Sequence, residues 1–171
     1  TREPLLRADA LGLLFAMDVW RAPVATAGTI AVEAQALARL DPARSARMLA
    51  EAAAALARSG SIARGLEFAD RALAEMTGLG VTDDAVELSV VFTRGMDARA
   101  PEVTGRLRGL GRRLLAAPPS AQAMALLQQV AWIATWVEAY DEAAVLLEHA
   151  VAVGRNQAPG TLPMALATRG E

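Results

Sequence analysis

The sequence predicts an all-α fold in which antiparallel helical hairpins stack as a right-handed α-solenoid. Composition is the first reason: 54% of the 171 residues are hydrophobic and 4% aromatic, and 40 Ala and 23 Leu stand against 13 Val and 3 Ile, a balance that favours helices over strands. The second reason is the placement of helix-breaking and capping residues. Gly, Pro, Asp and Ser divide the chain into segments of about 14 to 18 residues, in which the apolar positions have helical spacing. The third is an internal repeat of hairpins.

These helix-breaking and capping residues predict eight full helices and part of a ninth. Their predicted spans are 4–20, 24–40, 42–58, 61–76, 84–97, 101–117, 121–137, 141–153 and 160–171, the last truncated by the chain end. Since every connection is short, successive helices are expected to pair as antiparallel hairpins. The hairpins cover 4–40, 42–77, 83–117 and 120–154 of a single domain, residues 1–171, which we expect to be a fragment of a larger protein.

Polar residues and glycines mark the predicted helix ends. The predicted N-caps of the third, fourth, fifth and eighth helices are Asp41, Ser61, Asp84 and Asp141, because short polar side chains can accept hydrogen bonds from the exposed first-turn amides. Glu87 follows three residues after the third of these caps, as in a capping box. Gly60 is predicted to adopt the left-handed conformation that closes the third helix.

Two segments of the chain can be aligned with a shift of 78 residues. Residues 43–76 then overlie residues 121–153, with Gly60 matching Glu138 and Gly65 matching Ala143. The shift equals two units of about 39 residues, and the helix pair between them supplies the missing unit. A chain of hairpins with a recurring length is typical of an α-solenoid, in which each unit packs on its neighbours.

The segment Ala139–Val151 resembles the turn and second helix of a tetratricopeptide repeat. Ala143 and Ala150 match the small residues at which the helices of that family cross, and Leu147 matches the large residue between them. The resemblance implies tetratricopeptide-like hairpins, although the units in this chain are longer than the usual repeat of about 34 residues. Ala at a crossing lets two helix backbones approach, and Leu fills the space beside it.

Four segments also resemble the helical middle region of large ATP-binding LuxR-type transcriptional regulators, the MalT-like proteins. They are 40–44, 66–73, 136–143 and 158–163. The resemblance implies a cytoplasmic regulator with an ATPase module, a helical arm that senses an effector or a partner protein, and a C-terminal helix-turn-helix that binds DNA. The chain has no G-x-x-x-x-G-K-[ST] motif, so this segment would supply the arm alone and would not contact nucleic acid itself.

Composition argues against catalysis and against cofactor or metal binding. The chain has no Cys and a single His, and all 17 basic residues are Arg, which excludes thiol nucleophiles and Schiff-base lysines within this segment. The net charge of −2 gives no general attraction to nucleic acid or anionic lipid. Pro118 and Pro119 interrupt the longest uncharged stretch, 114–137, so we expect a buried helix there and no membrane span.

The predicted binding surface is the concave face formed by the first helix of each hairpin, which solenoids commonly use. Seven residues are assigned to it: Arg47, Arg58, Ser89, Thr93, Gln128, Trp132 and Trp136. The two Trp, one turn apart, could stack on the ring of a small-molecule effector or hold an apolar side chain of a protein or peptide partner. The alternative is that they pack against the next hairpin.

Two further alternatives remain open from the sequence. The arm of a regulator is the favoured function, and a free-standing repeat scaffold that binds peptides, or associates with its own copies through the solenoid ends, is the other. The only basic cluster is Arg106, Arg108, Arg112 and Arg113, which we interpret as a solvated helix face because no aromatic residue interleaves. Gly105 and Gly109, four residues apart, are expected to allow close helix packing.

Overall fold

The all-α prediction is confirmed by the computed structural model, which describes residues 3–18, 21–97, 100–156 and 159–170 and contains no strand among them. Its helices are α1 (Glu3–Asp18), α2 (Pro23–Leu37), α3 (Pro42–Arg58), α4 (Ile62–Gly78), α5 (Asp84–Gly95), α6 (Ala100–Ala116), α7 (Ala121–Trp136), α8 (Tyr140–Asn156) and α9 (Leu162–Arg169), with a 3-10 turn at Pro159–Thr161. The predicted helix ends at Trp20 and Glu171 lie outside the described residues. The chain divides into two compact units, Thr1–Asp97 and Ala98–Glu171.

The first unit is built around α3, which packs against α2, α4 and α5. Eleven of the 17 residues of α3 are buried, including the whole run 52–57. Alanines dominate this run. Because their side chains are small, the neighbouring helices can approach α3 closely from several sides. Larger side chains such as Leu49 and Leu56 fill the remaining space.

Gly65 marks the closest approach between α3 and α4. A Cβ atom built at Gly65 would lie 2.9 Å from the backbone oxygen of Ala53 and 3.3 Å from Cγ2 of Thr93. No side chain fits in that space, and glycine is therefore required by packing and not by its backbone conformation. The equivalent position in the second unit, under the 78-residue shift, is Ala143, which is also buried.

In the first unit, charged side chains of α3 contact the helix two before it and the helix two after it. Arg44 on α3 reaches α1, where it forms an ion pair of 2.9 Å with Asp9. Arg47 on α3 donates a hydrogen bond of 2.5 Å to Asp83, at the start of α5 and 36 residues away. Arg58, the last residue of α3, lies over the ring of Phe92 near the end of α5. The start of α3 therefore lies near the start of α5 and its end near the end of α5, so these two helices run in the same direction.

The second unit is built around α7, which packs against α6, α8 and α9. Leu127 and Val130 on α7 are fully buried. The 3-10 turn is fastened to α7 by Gln128, whose Nε2 donates to the backbone oxygen of Thr161, 33 residues away. At Gly154, near the end of α8, an added Cβ would lie 3.2 Å from Cα of Leu162. Helices α8 and α9 thus meet closely at their joining turn.

The turn after α3 and the turn after α7 have the same backbone conformation, as the 78-residue shift predicts for Gly60 and Glu138. Both residues have positive φ, +84° and +59°. The next amide donates to a carbonyl five residues earlier in each case, from Ser61 to Leu56 at 2.9 Å and from Ala139 to Ala134 at 2.8 Å. This is the hydrogen-bond pattern of a Schellman motif. Glu138 adopts it despite the cost to a residue with a Cβ.

Two of the four predicted caps, Asp84 and Asp141, do not occupy the cap position in the structure. Asp41 caps α3 as predicted, with its side chain accepting from the Arg44 amide at 3.0 Å. For α5 the cap is Asp83 and not Asp84, because Asp83 is extended and accepts from the amides two and three residues ahead. Asp141 lies inside the first turn of α8, which begins at Tyr140. Ser61 occupies the cap position of α4 without a side-chain hydrogen bond to the helix.

Candidate functional site

Two predicted site residues of the first unit, Arg47 and Arg58, lie on the exposed side of α3. Arg47 and Arg58 are the exposed residues of that helix, and Glu51 between them is half-buried. Arg47 is held by the carboxylate of Asp83. The guanidinium carbon of Arg58 lies 4.8 Å from the centre of the Phe92 ring, a distance typical of a cation–π interaction. Both arginines thus have partners on α5.

Burial shifts the protonation equilibria of two groups on this face. Desolvation raises the pKa of Glu51 above its ordinary value of 4.5, and the positive charge of Arg47 opposes that rise. Desolvation also lowers the pKa of Arg58. Both shifts have the direction expected when a charged group loses part of its water. The face is therefore polar, but it is not freely solvated.

Ser89 and Thr93 on α5 are placed in the packed interior more than at the surface. Thr93 is fully buried, and its hydroxyl donates to the backbone oxygen of Ser89 at 2.8 Å. The methyl group of Thr93 faces Gly65 on α4. Ser89 is half-buried. In this conformation Thr93 serves helix packing and offers no accessible group to a ligand.

Gln128 also has a packing role in the second unit. Only 7% of its surface is exposed, and its amide group binds the backbone of the 3-10 turn, as described above. A buried side-chain amide that satisfies a backbone carbonyl stabilises the joint between two elements. It does not share the open face of the two tryptophans.

Trp132 and Trp136 are the aromatic residues among the predicted site residues, and both are exposed. They are 41% and 48% exposed, and their ring centroids lie 4.0 Å apart with the planes inclined at 54°. Large aromatic side chains are usually covered in a folded chain, because each removes a large apolar area from water. An exposed pair of them in contact is a feature that recurs at binding surfaces.

The exposed stripe of α7 can be compared with α3 under the shift of 78 residues. The stripe includes Ala125, Gln129, Trp132 and Trp136. The shift turns Trp132 into Ala54, which is buried, and Trp136 into the exposed Arg58. The aromatic pair of the second unit therefore has no counterpart in the first.

Tyr140 was not among the predicted site residues, yet it is 63% exposed at the start of α8. It follows Trp136 by four residues, the same spacing that separates the two tryptophans. With Thr135 it lines a depression of about 270 Å³ between the ends of α7, α8 and α9. The turn at Glu138 separates Tyr140 from α7, so helical spacing in the sequence carries no signal for it.

A second surface feature, a groove between α6 and α8, was not predicted from the sequence either. Its volume is about 450 Å³. Apolar residues form most of its lining, namely Leu107, Gly111, Leu115, Val145 and Leu146. An added Cβ at Gly111 would lie 3.1 Å from Cδ2 of Leu146, whereas at Gly105 it would meet no described atom within 4 Å. The close packing expected at Gly105 and Gly109 is therefore found at Gly111.

The predicted basic cluster borders this groove. Arg106 pairs with Glu102 on its own helix, and Arg108 pairs with Glu142 across to α8. The hydrogen bond from Arg108 lowers the pKa of Glu142 below its ordinary value. Arg112 is exposed and donates from Nε to the backbone oxygen of Arg108 at 3.2 Å. The cluster is thus partly neutralised by acids.

No group of three or more potential metal ligands is found in the part of the chain that the structure describes. Of the described helices, none has both the length and the apolar character needed to cross a bilayer. Comparison of the chain with protein-family models, with curated proteins and with solved structures found no match.

Proposed function

We propose that this chain is a helical-repeat binding module without catalytic chemistry, and that Trp132 and Trp136 form its partner-binding surface. The pair of exposed, contacting indole rings is the observation that carries the proposal. An apolar or aromatic side chain of a partner protein or peptide would cover both rings and remove them from water. The ring of a small-molecule effector would be bound by the same contact.

The spacing of contacts supports a repeat arrangement like that of tetratricopeptide proteins. Parallel helices in the first unit are joined by Arg44–Asp9 and Arg47–Asp83, 35 and 36 residues apart. In the second unit Arg108–Glu142 and Gln128–Thr161 join positions 34 and 33 residues apart. Such separations are those of a unit that packs on its successor. In addition, α5 packs on both α3 and α4, and α9 on both α7 and α8.

The narrower form of the proposal is that the module is the sensor arm of a cytoplasmic LuxR-type regulator. Its support is the resemblance of four segments to that family, and it assigns DNA binding to a domain outside this chain. Reading the gene on both sides of the segment tests it. An ATP-binding module before the segment and a helix-turn-helix after it are expected, and a gene with neither would leave the free-standing scaffold as the better proposal.

Selection from a random peptide library tests the binding surface even though the natural partner is unidentified. The library is displayed on phage and panned on the 171-residue chain, and each round is depleted on the double variant Trp132→Ala/Trp136→Ala. Peptides that survive depletion are expected to share an aromatic or large aliphatic residue. In the control selection, each round is depleted on Val32→Ala, which removes a 66% exposed side chain from α2. This variant keeps both tryptophans, so it should capture the same peptides and remove them from the library.

The proposal is wrong if the double variant removes the binders as completely as the Val32→Ala variant does. Circular dichroism and the urea midpoint of each variant establish that the depleting chains are folded. Because the tryptophans are almost half exposed, their loss should leave the helices intact.

A further inference from the structure

The groove between α6 and α8 has features of a ligand site that is distinct from the tryptophan surface. Its volume of about 450 Å³ lies within the range of about 300–1,000 Å³ found for ligand pockets. Val145 on its wall is 55% exposed, while Leu146 beside it is 4% exposed. An apolar chain lying in the groove would therefore cover Val145 without disturbing the buried core.

The ion pair between Arg108 and Glu142 lies at the boundary between the groove and a second depression. These residues, with Asp141, line both the apolar groove and a neighbouring polar depression of about 340 Å³ that includes Thr104 and Glu138. The pair joins α6 to α8, so it separates the apolar space from the polar one. A partner helix is about 10 Å wide and needs several turns of uninterrupted groove. The short apolar compartment fits a small ligand better.

Arg112 supplies the charge that identifies the ligand. Its Nε donates to the backbone oxygen of Arg108, and its side chain lines the groove together with Leu115. Arg108 is neutralised by Glu142, whereas Arg112 and Asp141 form no ion pair with any residue that the structure describes. Asp141 also lines the neighbouring polar depression, while Arg112 lines the apolar groove alone. A guanidinium presents terminal N–H groups that match the two oxygens of a carboxylate.

We propose that the α6–α8 groove binds a small amphiphilic carboxylate, with its aliphatic or aryl chain on Leu107, Val145 and Leu146 and its carboxylate on Arg112. This site uses other residues than the partner surface of Trp132 and Trp136, and it stands or falls independently of that surface. An amine of the same size would place a positive charge against Arg112. The groove therefore selects by the sign of the charge as well as by shape.

Titration of the whole chain with octanoate, monitored by the NMR signals of the backbone amides, tests the site. Saturable shifts are expected at Gly111, Val145 and Leu146, and decanoate should bind more tightly because it buries more apolar surface. Octylammonium, the charge-reversed probe, should bind at least about threefold more weakly, as expected when an ion pair at a partly exposed rim becomes a repulsion. Binding of octylammonium as tight as that of octanoate would overturn the assignment of charge.

Two variants and a control locate the site. Arg112→Gln should weaken octanoate binding about three- to tenfold, the range for loss of a charge-assisted contact at a rim. Val145→Glu places a carboxylate in the apolar part and should abolish binding, while the exposed Arg155→Gln on the far part of α8 should leave it unchanged. Unaltered binding in both groove variants, or no saturable shifts in the groove, would overturn the proposal. Tight binding of an acidic amphipathic peptide with no octanoate binding would assign the groove to a partner helix instead.

Discussion

Trp132 and Trp136 contact each other one helical turn apart on α7, with ring centroids 4.0 Å apart and nearly half of each side chain exposed. The cost of leaving this much aromatic surface in water is substantial. Under the 78-residue shift the equivalent positions of the first unit hold the buried Ala54 and Arg58, so the first unit folds with no aromatic residue at either position. The proposed partner-binding role would account for the exposed aromatic pair on α7.

At the crossing of α3 and α4, the addition of a single methyl group is expected to lower the stability of the fold markedly. Gly65→Ala would place a Cβ 2.9 Å from the backbone oxygen of Ala53, and we expect it to lower the free energy of unfolding by about 1–3 kcal/mol. Gly28 in the interior of α2 is the matched control, because a Cβ there would meet no described atom within 4 Å. Gly28→Ala should raise stability by about 0.5–1 kcal/mol. Urea denaturation of both variants measures the difference, and equal effects would contradict the close crossing.

The cap of α5 gives a second prediction, in which neighbouring aspartates differ. Asp83→Ala removes the acceptor of two amide hydrogen bonds and the partner of Arg47, and it should cost about 1–2 kcal/mol. Asp83→Asn keeps an acceptor for the amides and should cost less than about 1 kcal/mol. Asp84→Ala should cost less than Asp83→Ala in the same thermal or urea unfolding measurement. The reverse order would place the cap at Asp84, as the sequence alone suggested.

Glu51 predicts a pH dependence of stability. Burial raises the pKa of Glu51 in the folded chain above its ordinary value of 4.5, so the folded state holds this proton more tightly than the unfolded state does. Stability contributed by the protonated carboxyl is present below pH 4.5 and is lost as pH rises through the raised pKa. Glu51→Gln should therefore stabilise the chain at neutral pH, with a gain that vanishes in acid.

Unfolding by urea across the pH range measures this gain. Arg47→Gln provides a second check, because the charge of Arg47 lowers the pKa of Glu51 and its removal should move the carboxyl titration to higher pH by carbon-13 NMR. A gain from Glu51→Gln that grows toward acid pH would show that the carboxylate, and not the protonated acid, is favoured by folding.

Much of the fold could be predicted from local signals in the sequence, whereas the buried and exposed sides of each helix could not. Ala and Leu content, the Asp41 cap and the shared turns at Gly60 and Glu138 all act within one helix or one turn, so the sequence carries them directly. Which side of a helix is covered depends on its neighbours. Gln128 lies one turn from Trp132, and helical spacing therefore assigned both to one face. Gln128 is buried and bonded to the 3-10 turn, whereas Trp132 stays 41% exposed.

The groove between α6 and α8 shows the same limit more clearly. Three glycines of α6 are candidates for close packing from spacing alone, Gly105, Gly109 and Gly111. Only the position of Leu146 on α8 decides that Gly111 is the contact. Likewise, Arg108 and Arg112 look alike in sequence, and it is Glu142, 34 residues from Arg108, that neutralises one and leaves the other without an acidic partner among the described residues.

The dissociation constant of a peptide selected on this chain, measured by calorimetry, tests the central proposal most directly. Trp132→Ala and Trp136→Ala should each weaken binding by at least about 30-fold, the loss of about 2 kcal/mol that defines a dominant interface residue. Val32→Ala should leave the affinity unchanged, and all three variants should unfold with free energies within about 1 kcal/mol of the parent chain. An unchanged dissociation constant in both tryptophan variants, together with a large loss of stability, would contradict the proposal and assign the pair to packing.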